Sequence, residues 1–303
     1  MDKQTAQVAV LGLGEMGAAL ARALIADHWC VRVWNRSAGK AEPFARQGVA
    51  VAANVLDAVT GADVVVVCVA DYATVSALLH REDVASALRG KVLVQLTTRT
   101  PSEARASEAW AKAVGLALLE GAIQGYPMHI GTDQGAILYS GTRATFDRVE
   151  SLLRGMTGQA LYISDKIGSS AALDLAMAGT VVPGATLAFL NGAALCQAEG
   201  APLEVYRDLV EGNLFPGLIA ATLALSVEKL ASGNYAYTGE GAPIDAWYGG
   251  IKMVRQAMCD ARINPEWTDR VLAYLGRAME TGHGQSEMAA VFEQIISTEG
   301  QVA

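Results

Sequence analysis

The sequence is poor in several things that mark particular protein classes. Aromatic residues make up only 6% and charged residues only 18% of its 303 positions. Disordered chains combine low hydrophobicity with high charge, and a chain that is 52% apolar has the reverse. Basic residues are short too: 23 Lys and Arg against 31 Asp and Glu, a formal net charge of -8. Without a basic run, the chain lacks the electrostatic footprint of a duplex-DNA or anionic-membrane binder. The four cysteines, Cys30, Cys68, Cys196 and Cys259, show no CxxC spacing. That excludes a zinc knuckle and a dense disulfide framework and predicts buried, reduced thiols. His28, His80, His129 and His283 have no metal-ligand spacing, so no metal site is expected, and neither HExxH nor GxSxG occurs. The opening MDKQTAQ has no apolar segment of the signal-peptide kind, and a cytoplasmic location is the expectation.

What is abundant is apolar surface, with a mean hydropathy of +0.26. Part of it sits in short valine-rich runs. QVAVL (7–11), VRVW (31–34), DVVVVCV (63–69) and KVLVQLTT (91–98) have the continuous apolar character of central parallel strands. Helical stretches such as ATVSALLH and SEARASEAWAKAVG alternate with them, and further strands are predicted at 116–119, 136–139 and 160–163. The alternation predicts an α/β doubly wound, Rossmann-type N-terminal domain over 1–165. From Ser169 to Glu199 runs an Ala- and Gly-rich apolar stretch, predicted as one long interdomain helix over 166–199. Helical segments at 203–211, 217–232, 243–261, 265–281 and 286–297 then predict an all-α C-terminal domain over 200–303.

GLGEMG at 12–17 lies between a strand and a helix, the context that makes GxGxxG informative. Gly12 permits the tight turn, Gly14 lets backbone approach a pyrophosphate, and Gly17 lets helix and strand pack closely. With Leu13, Glu15 and Met16 they form the expected phosphate cradle at a helix N-terminus. The second strand ends in Asn35-Arg36-Ser37, with Lys40 close behind, where an NAD site usually has an acid. Two cations and a hydroxyl suit a 2′-phosphate, so the expected cofactor is NADPH. Val69, Ala70, Asp71 and Thr97, at the ends of later strands, are expected to line the cofactor groove, with Thr98 beside the reacting substrate.

GLGEMG, VWNRSAGK, LTTRTPSEA, EGAIQGYPMHIGTDQGAILYSG and TGHGQSEMAAVFEQI, taken in order, resemble the β-hydroxyacid dehydrogenase superfamily and, within it, the imine reductases. The resemblance covers nearly the whole chain. It implies a homodimer that exchanges helical domains around the long helix, which competes with a transmembrane reading of that stretch. Asp174, Asn191, Gln197 and Pro183 within it argue for a buried helix instead.

Hydroxyacid dehydrogenases of the superfamily carry a catalytic lysine six residues after a glycine in this helix, then an asparagine four residues on. Here Asp174 follows Gly168 by six residues and Ala178 takes the second place. The family's carboxylate-binding Ser-Gly-Gly aligns with Gln124-Gly125-Tyr126. A carboxylate where a lysine stood repels anionic substrates and favours a cation such as an iminium ion; at 4 Å and an effective dielectric of 20 the attraction is about 4 kcal/mol. The resemblance therefore implies NADPH-dependent reduction of imines to amines, with reductive amination of a ketone and an amine. Asp174 is the candidate catalytic residue, as anchor of the cation or as proton relay. Tyr126, Met128, Val182, Phe215, Asp245, Trp247 and Tyr248 complete the expected substrate pocket, though core packing explains Trp247, Tyr248 and Met253 equally well. A hydroxyacid or keto reductase with a relocated catalytic group, and an NADPH-binding protein without turnover, remain the competing readings.

Overall fold

The computed structural model describes residues 1–296. The chain divides into two compact units, Met1–Val182 and Pro183–Ala303, and each is described by itself. In the first unit an eight-stranded sheet runs β1 (Gln7–Leu11), β2 (Cys30–Trp34), β3 (Ala50–Val51), β4 (Val64–Val67), β5 (Val92–Gln95), β6 (Ala117–Gln124), β7 (Ala136–Gly141) and β8 (Gln159–Ser164). Its spatial order is β3-β2-β1-β4-β5-β6-β7-β8, parallel except where β6 meets β7. β3 and the length of β6 were not legible from the pattern; β3 has only two residues, both exposed.

The valine runs are central strands. Val64 to Val67 are all fully buried, because helices cover both faces of the sheet. On one face α1 (Glu15–Ala26) and the helix Arg143–Met156 close a core with Leu20, Leu24, Leu152 and Leu153; on the other, Leu79, Leu88 and Ala104 pack against Val65 and Leu93. The helix Pro101–Val114 opens with a capping box in which Thr100 and Glu103 satisfy each other's backbone N–H groups, and it stops at left-handed Gly115.

The apolar stretch from 169 is helical over Ser169–Ala198, about 45 Å at 1.5 Å per residue. A π-helical turn, Met177–Val181, interrupts it just before Pro183. Such a turn absorbs the hydrogen bond and the space that a proline denies its preceding turn. Ser169 and Ser170 do not cap this helix: Gly168 stands at the N-cap and Ser170 is fully buried.

The second unit is helical among its described residues. Leu203–Ser232 is one continuous helix, so the expected break between 211 and 217 is absent. Asn213 to Pro216 lie inside a π-helical stretch, Val210–Ile219, which accommodates Pro216 without ending the helix. Ile244–Asp260 and Glu266–Glu280 pack as a pair on Ile244, Leu275, Ala278 and Ala290. The last helix is described over Phe292–Ile296, and the expected helical residue 297 and the end of the 200–303 segment lie outside the described residues.

Thr100→Ala removes one reciprocal cap and should lower stability by about 1 kcal/mol in urea unfolding at fixed protein concentration.

Candidate functional site

β1 ends at Leu11, and the chain turns through Gly12 at φ +98. A Cβ there would collide with the carbonyl of Cys68, and one at Gly17 would collide with the carbonyl of Gly12. Gly14 has open space around it instead, and as N-cap of α1 it contributes no side-chain cap, so the first-turn N–H groups face the groove without a protein partner from a capping side chain. Asn35 shapes this turn: its Oδ1 accepts from the Leu13 N–H at 2.9 Å and its Nδ2 donates to the Ser37 carbonyl at 3.0 Å.

The groove beyond this turn has a volume of about 620 Å³. Gly12, Gly14, Glu15, Met16 and Gly17 line it, as do Asn35, Arg36, Ser37 and Lys40 at the end of β2, and Val69 and Ala70 after β4. A helix N-terminus at one end and Arg36 with Lys40 at the other fit the charges of a phosphorylated dinucleotide. Trp34, Thr74, Ala77 and Leu78 complete the wall. Sequence reading missed these; the helical period of ATVSALL was the available signal for Thr74, Ala77 and Leu78. Three expected members stand elsewhere. Leu13 is buried. Asp71 caps the helix Tyr72–Leu79, and hydrogen bonding from Thr74, with a smaller pull from Arg36, holds its carboxyl below the usual range. Thr97 is buried, and its hydroxyl accepts from the Val69 N–H at 3.1 Å.

A second cavity, about 540 Å³, shares Met16, Cys68 and Val69 with the groove. Asp174 lines it, on a helix face with Ala171, Leu175 and Ala178, whose spacing of three and four puts them together. Gln124 donates from Nε2 to Asp174 Oδ1 at 2.9 Å. Ser170 ties the helix to the sheet, its Oγ 2.7 Å from Ser140 Oγ and 3.2 Å from the Glu120 carbonyl. Thr98, Leu96 and Gly121 form the opposite wall, with Arg99 beneath. Gly121 is required: a Cβ would run into Leu96 and the Tyr139 ring.

Arg99 and Glu120 form a fully buried ion pair. Burial pushes the Glu120 carboxyl up, against the pull of Arg99. Burial likewise pushes the Cys68 thiol up to about 11, so it is neutral where the two cavities meet. Nothing in the sequence marked Arg99, a lone cation just past a strand end. The expectation of four buried thiols fails: Cys30, Cys68 and Cys196 are only partly buried, and Cys259 is exposed on a helix surface. Among the described residues no His, Cys, Asp or Glu cluster could hold a metal.

The other expected pocket residues do not line this cavity. Tyr126 and Met128 are 69% and 76% exposed on the loop after β6, and Val182 is exposed at the end of the first unit. Phe215 is exposed on its helix in the second unit. There Asp245 accepts from Gln285, while Trp247 and Tyr248 pack on the Ile244–Leu275 core, and Met253 is 75% exposed. His283 is a structural contact, bridging Ser286 and Glu293.

Gly14→Ala should leave the unfolding midpoint near wild type and weaken NADPH binding, measured by fluorescence titration; Gly17→Ala should lower stability by about 1–3 kcal/mol through overpacking. Thiol labelling at pH 8 should modify Cys259 within minutes and leave Cys68 intact until the chain unfolds.

Residues 7–164 match the family model for the NAD binding domain of 6-phosphogluconate dehydrogenase. Residues 166–297 match that for the C-terminal domain of NADPH-dependent reductive aminase-like proteins. The NADPH-dependent reductive aminase of Aspergillus oryzae is 28% identical over 289 residues, 94% of this chain and 96% of its own. The structure of a reductive aminase from Aspergillus terreus in complex with NADPH and ethyl levulinate superposes with a TM-score of 0.83 at 26% identity, over 96% of this chain and 99% of that one. The imine reductase from Myxococcus stipitatus in complex with NADP+ gives a TM-score of 0.85 at 30% identity, again over 96% of this chain and 99% of the other. With a dinucleotide groove, an acid in the adjoining cavity and a likeness that runs the length of both chains, this chain belongs to the imine reductase family.

Proposed function

We propose that this protein is an NADPH-dependent oxidoreductase that reduces imines and iminium ions to amines, and that it forms those imines from a ketone and an amine in reductive amination. The observation that carries the reading is Asp174, an acid where hydroxyacid dehydrogenases keep a lysine, lining a cavity contiguous with the dinucleotide groove. The residues present fit the cofactor: Gly12, Gly14 and Gly17 shape the pyrophosphate turn, and Arg36, Ser37 and Lys40 stand where the 2′-phosphate would lie. NADPH, when bound, supplies the hydride. The chain's own part is to hold the substrate nitrogen beside Asp174, with Gln124 orienting the carboxylate. A carboxylate facing a C=N carbon stabilises the positive charge that makes that carbon a hydride acceptor. Thr98 and Leu96 shape the space around it.

We assign the organisation 1–165, 166–199 and 200–303 to cofactor binding, interdomain helix and helical dimerisation domain. A domain-exchanged homodimer accounts for apolar side chains left exposed on both long helices, among them Val181, Leu187, Leu190, Leu218, Leu223 and Val227. By length and composition each helix could also cross a membrane. Against lipid stand Asp174 and Asn191 in the first and Arg207, Asp208 and Lys229 in the second. Tyr126, Met128, Phe215, Asp245, Trp247 and Tyr248 would then complete the substrate pocket in the assembly. Four free cysteines accord with a cytoplasmic enzyme.

NADPH oxidation with a cyclic imine or a keto acid, run beside NADP+ reduction with a 3-hydroxy acid, separates the readings: turnover of the imine is expected, and turnover of the acids alone would overturn the assignment. Asp174→Ala should lower kcat at least about 100-fold with NADPH affinity unchanged, in the range of a lost electrostatic stabiliser. Arg36→Ala should raise the KM for NADPH and narrow its preference over NADH; an unchanged ratio would refute the 2′-phosphate role.

A further inference from the structure

The wall of the Asp174 cavity is uneven. Leu96, Thr98 and Arg99 stand on its sheet side, and the helix Ser169–Ala198 faces them with Asp174 and Leu175, then with Ala178 and Gly179. Ala178 and Gly179 follow Asp174 and Leu175 by four residues each, so they stand one turn further along the same face, roughly 6 Å at 1.5 Å per residue. That turn is the π-helical Met177–Val181. The Val182 N–H donates to the Met177 carbonyl, and the Thr180 hydroxyl donates to the Leu175 carbonyl at 3.3 Å, each five residues back. Bonds that reach back five residues rather than four make a wider turn in which each residue rotates less, and this swings Gly179 toward the line of Asp174.

Nothing in the backbone calls for a glycine at 179. Gly179 is not one of the glycines with positive φ, and a Cβ built on it meets no atom within 4 Å among the described residues. Gly12, Gly17 and Gly121, by contrast, each have a neighbour that a Cβ would strike. A glycine inside a helix costs about 1 kcal/mol against alanine. What Gly179 supplies is open volume, in a cavity of about 540 Å³ whose carboxylate lies one turn away.

The reacting carbon of a substrate must face the cofactor groove, which meets this cavity at Met16, Cys68 and Val69. Gly179 lines the Asp174 cavity and not the groove. With nitrogen held at Asp174 and carbon turned to the groove, the group bonded to nitrogen runs along the helix toward Gly179. We propose that Gly179 is a specificity-determining residue for the amine half of the substrate, and that the space beside it takes a bulky group on nitrogen, such as the ring of an arylalkyl primary amine. This rests on the function assigned above and adds which half of the imine the helix measures. A side chain at 179 would occupy that space, and the size of the amine, not of the ketone, would register it.

The test is reductive amination of cyclohexanone with NADPH and either methylamine or benzylamine. The wild-type enzyme should use both amines, and turnover of methylamine with refusal of benzylamine would overturn the proposal. Gly179→Leu places a side chain in the wall and supplies a strong helix former. Its benzylamine-to-methylamine ratio of kcat/KM should fall at least about tenfold below the wild-type ratio, the scale on which a pocket rejects added bulk. With methylamine as the amine, the ratio between cyclohexanone and acetone should stay within about twofold of wild type. An unchanged amine ratio, or a change that follows the ketone instead, would overturn the proposal. If Gly179→Leu does not fold, Gly179→Ala decides: its amine ratio should shift the same way, and no shift would overturn the proposal. If cyclohexanone is not aminated at all, the assigned function fails. Calorimetric binding of N-methylcyclohexylamine and N-benzylcyclohexylamine to the NADP+ complex then still reads the size limit. Gly179→Leu should weaken the benzyl compound at least about tenfold more than the methyl compound, and equal effects on the two would overturn the proposal.

Discussion

The parallel register of the central strands is the constraint from which the site follows. Leu11 lies opposite Val67, Val67 opposite Gln95, and Gln95 opposite Glu120, so β1, β4 and β5 end level with one another while β6 runs on to Gln124. Hydrogen bonding across a parallel sheet fixes this alignment, and burial of both faces forbids a slip that would turn valines outward. The turn after β1 can then approach Cys68 only as glycine, and Thr97 can reach the Val69 backbone. The dinucleotide groove and the Asp174 cavity meet at Met16, Cys68 and Val69 because those strand ends meet.

Against that edge the long helix is anchored by polar contacts. Ser170 binds Ser140 and the backbone of β6, which fixes the rotation of the helix and presents the face bearing Ala171, Asp174 and Ala178 to the cavity. Small residues on that face leave room for a substrate, and Gln124 holds the one carboxylate in it. An acid held in this way has little use for an anionic hydroxy acid and much for a cation. Arg99, in the wall of the same cavity, is buried in an ion pair with Glu120 and donates to the backbone carbonyls of Gln95, Thr97 and Gly121.

The apolar surplus has two locations. The apolar residues of β1, β4 and β5 are buried almost completely within the first unit. The helices Ser169–Ala198 and Leu203–Ser232 keep much of theirs exposed in a single chain. Exposed apolar surface on this scale marks an interaction face, and a second copy is the occupant our reading assigns to it.

Much of this was legible in the sequence because it rests on local rules. Strand runs, the glycine turn, the long apolar helix and the unusual Asp174 follow from periodicity, from spacing and from resemblance. The lines blurred where tertiary structure overrides local preference. Pro216 looked like a helix break, but a π-helical turn absorbs it. Thr97 looked like a groove residue, but it is buried and braces the Val69 backbone, while Asn35 both lines the groove and braces the turn that shapes it. Arg99 carried no sequence signal and is buried against Glu120, a partner 21 positions along the chain on the neighbouring strand. The sequence by itself determined the elements and the identity of the acid, because those depend on residues close together in the chain. Only the tertiary structure decided which groups surround that acid, because strand register and helix rotation, neither of them local, bring Gln124 to Asp174 and Arg99, paired with Glu120, to the wall of the same cavity.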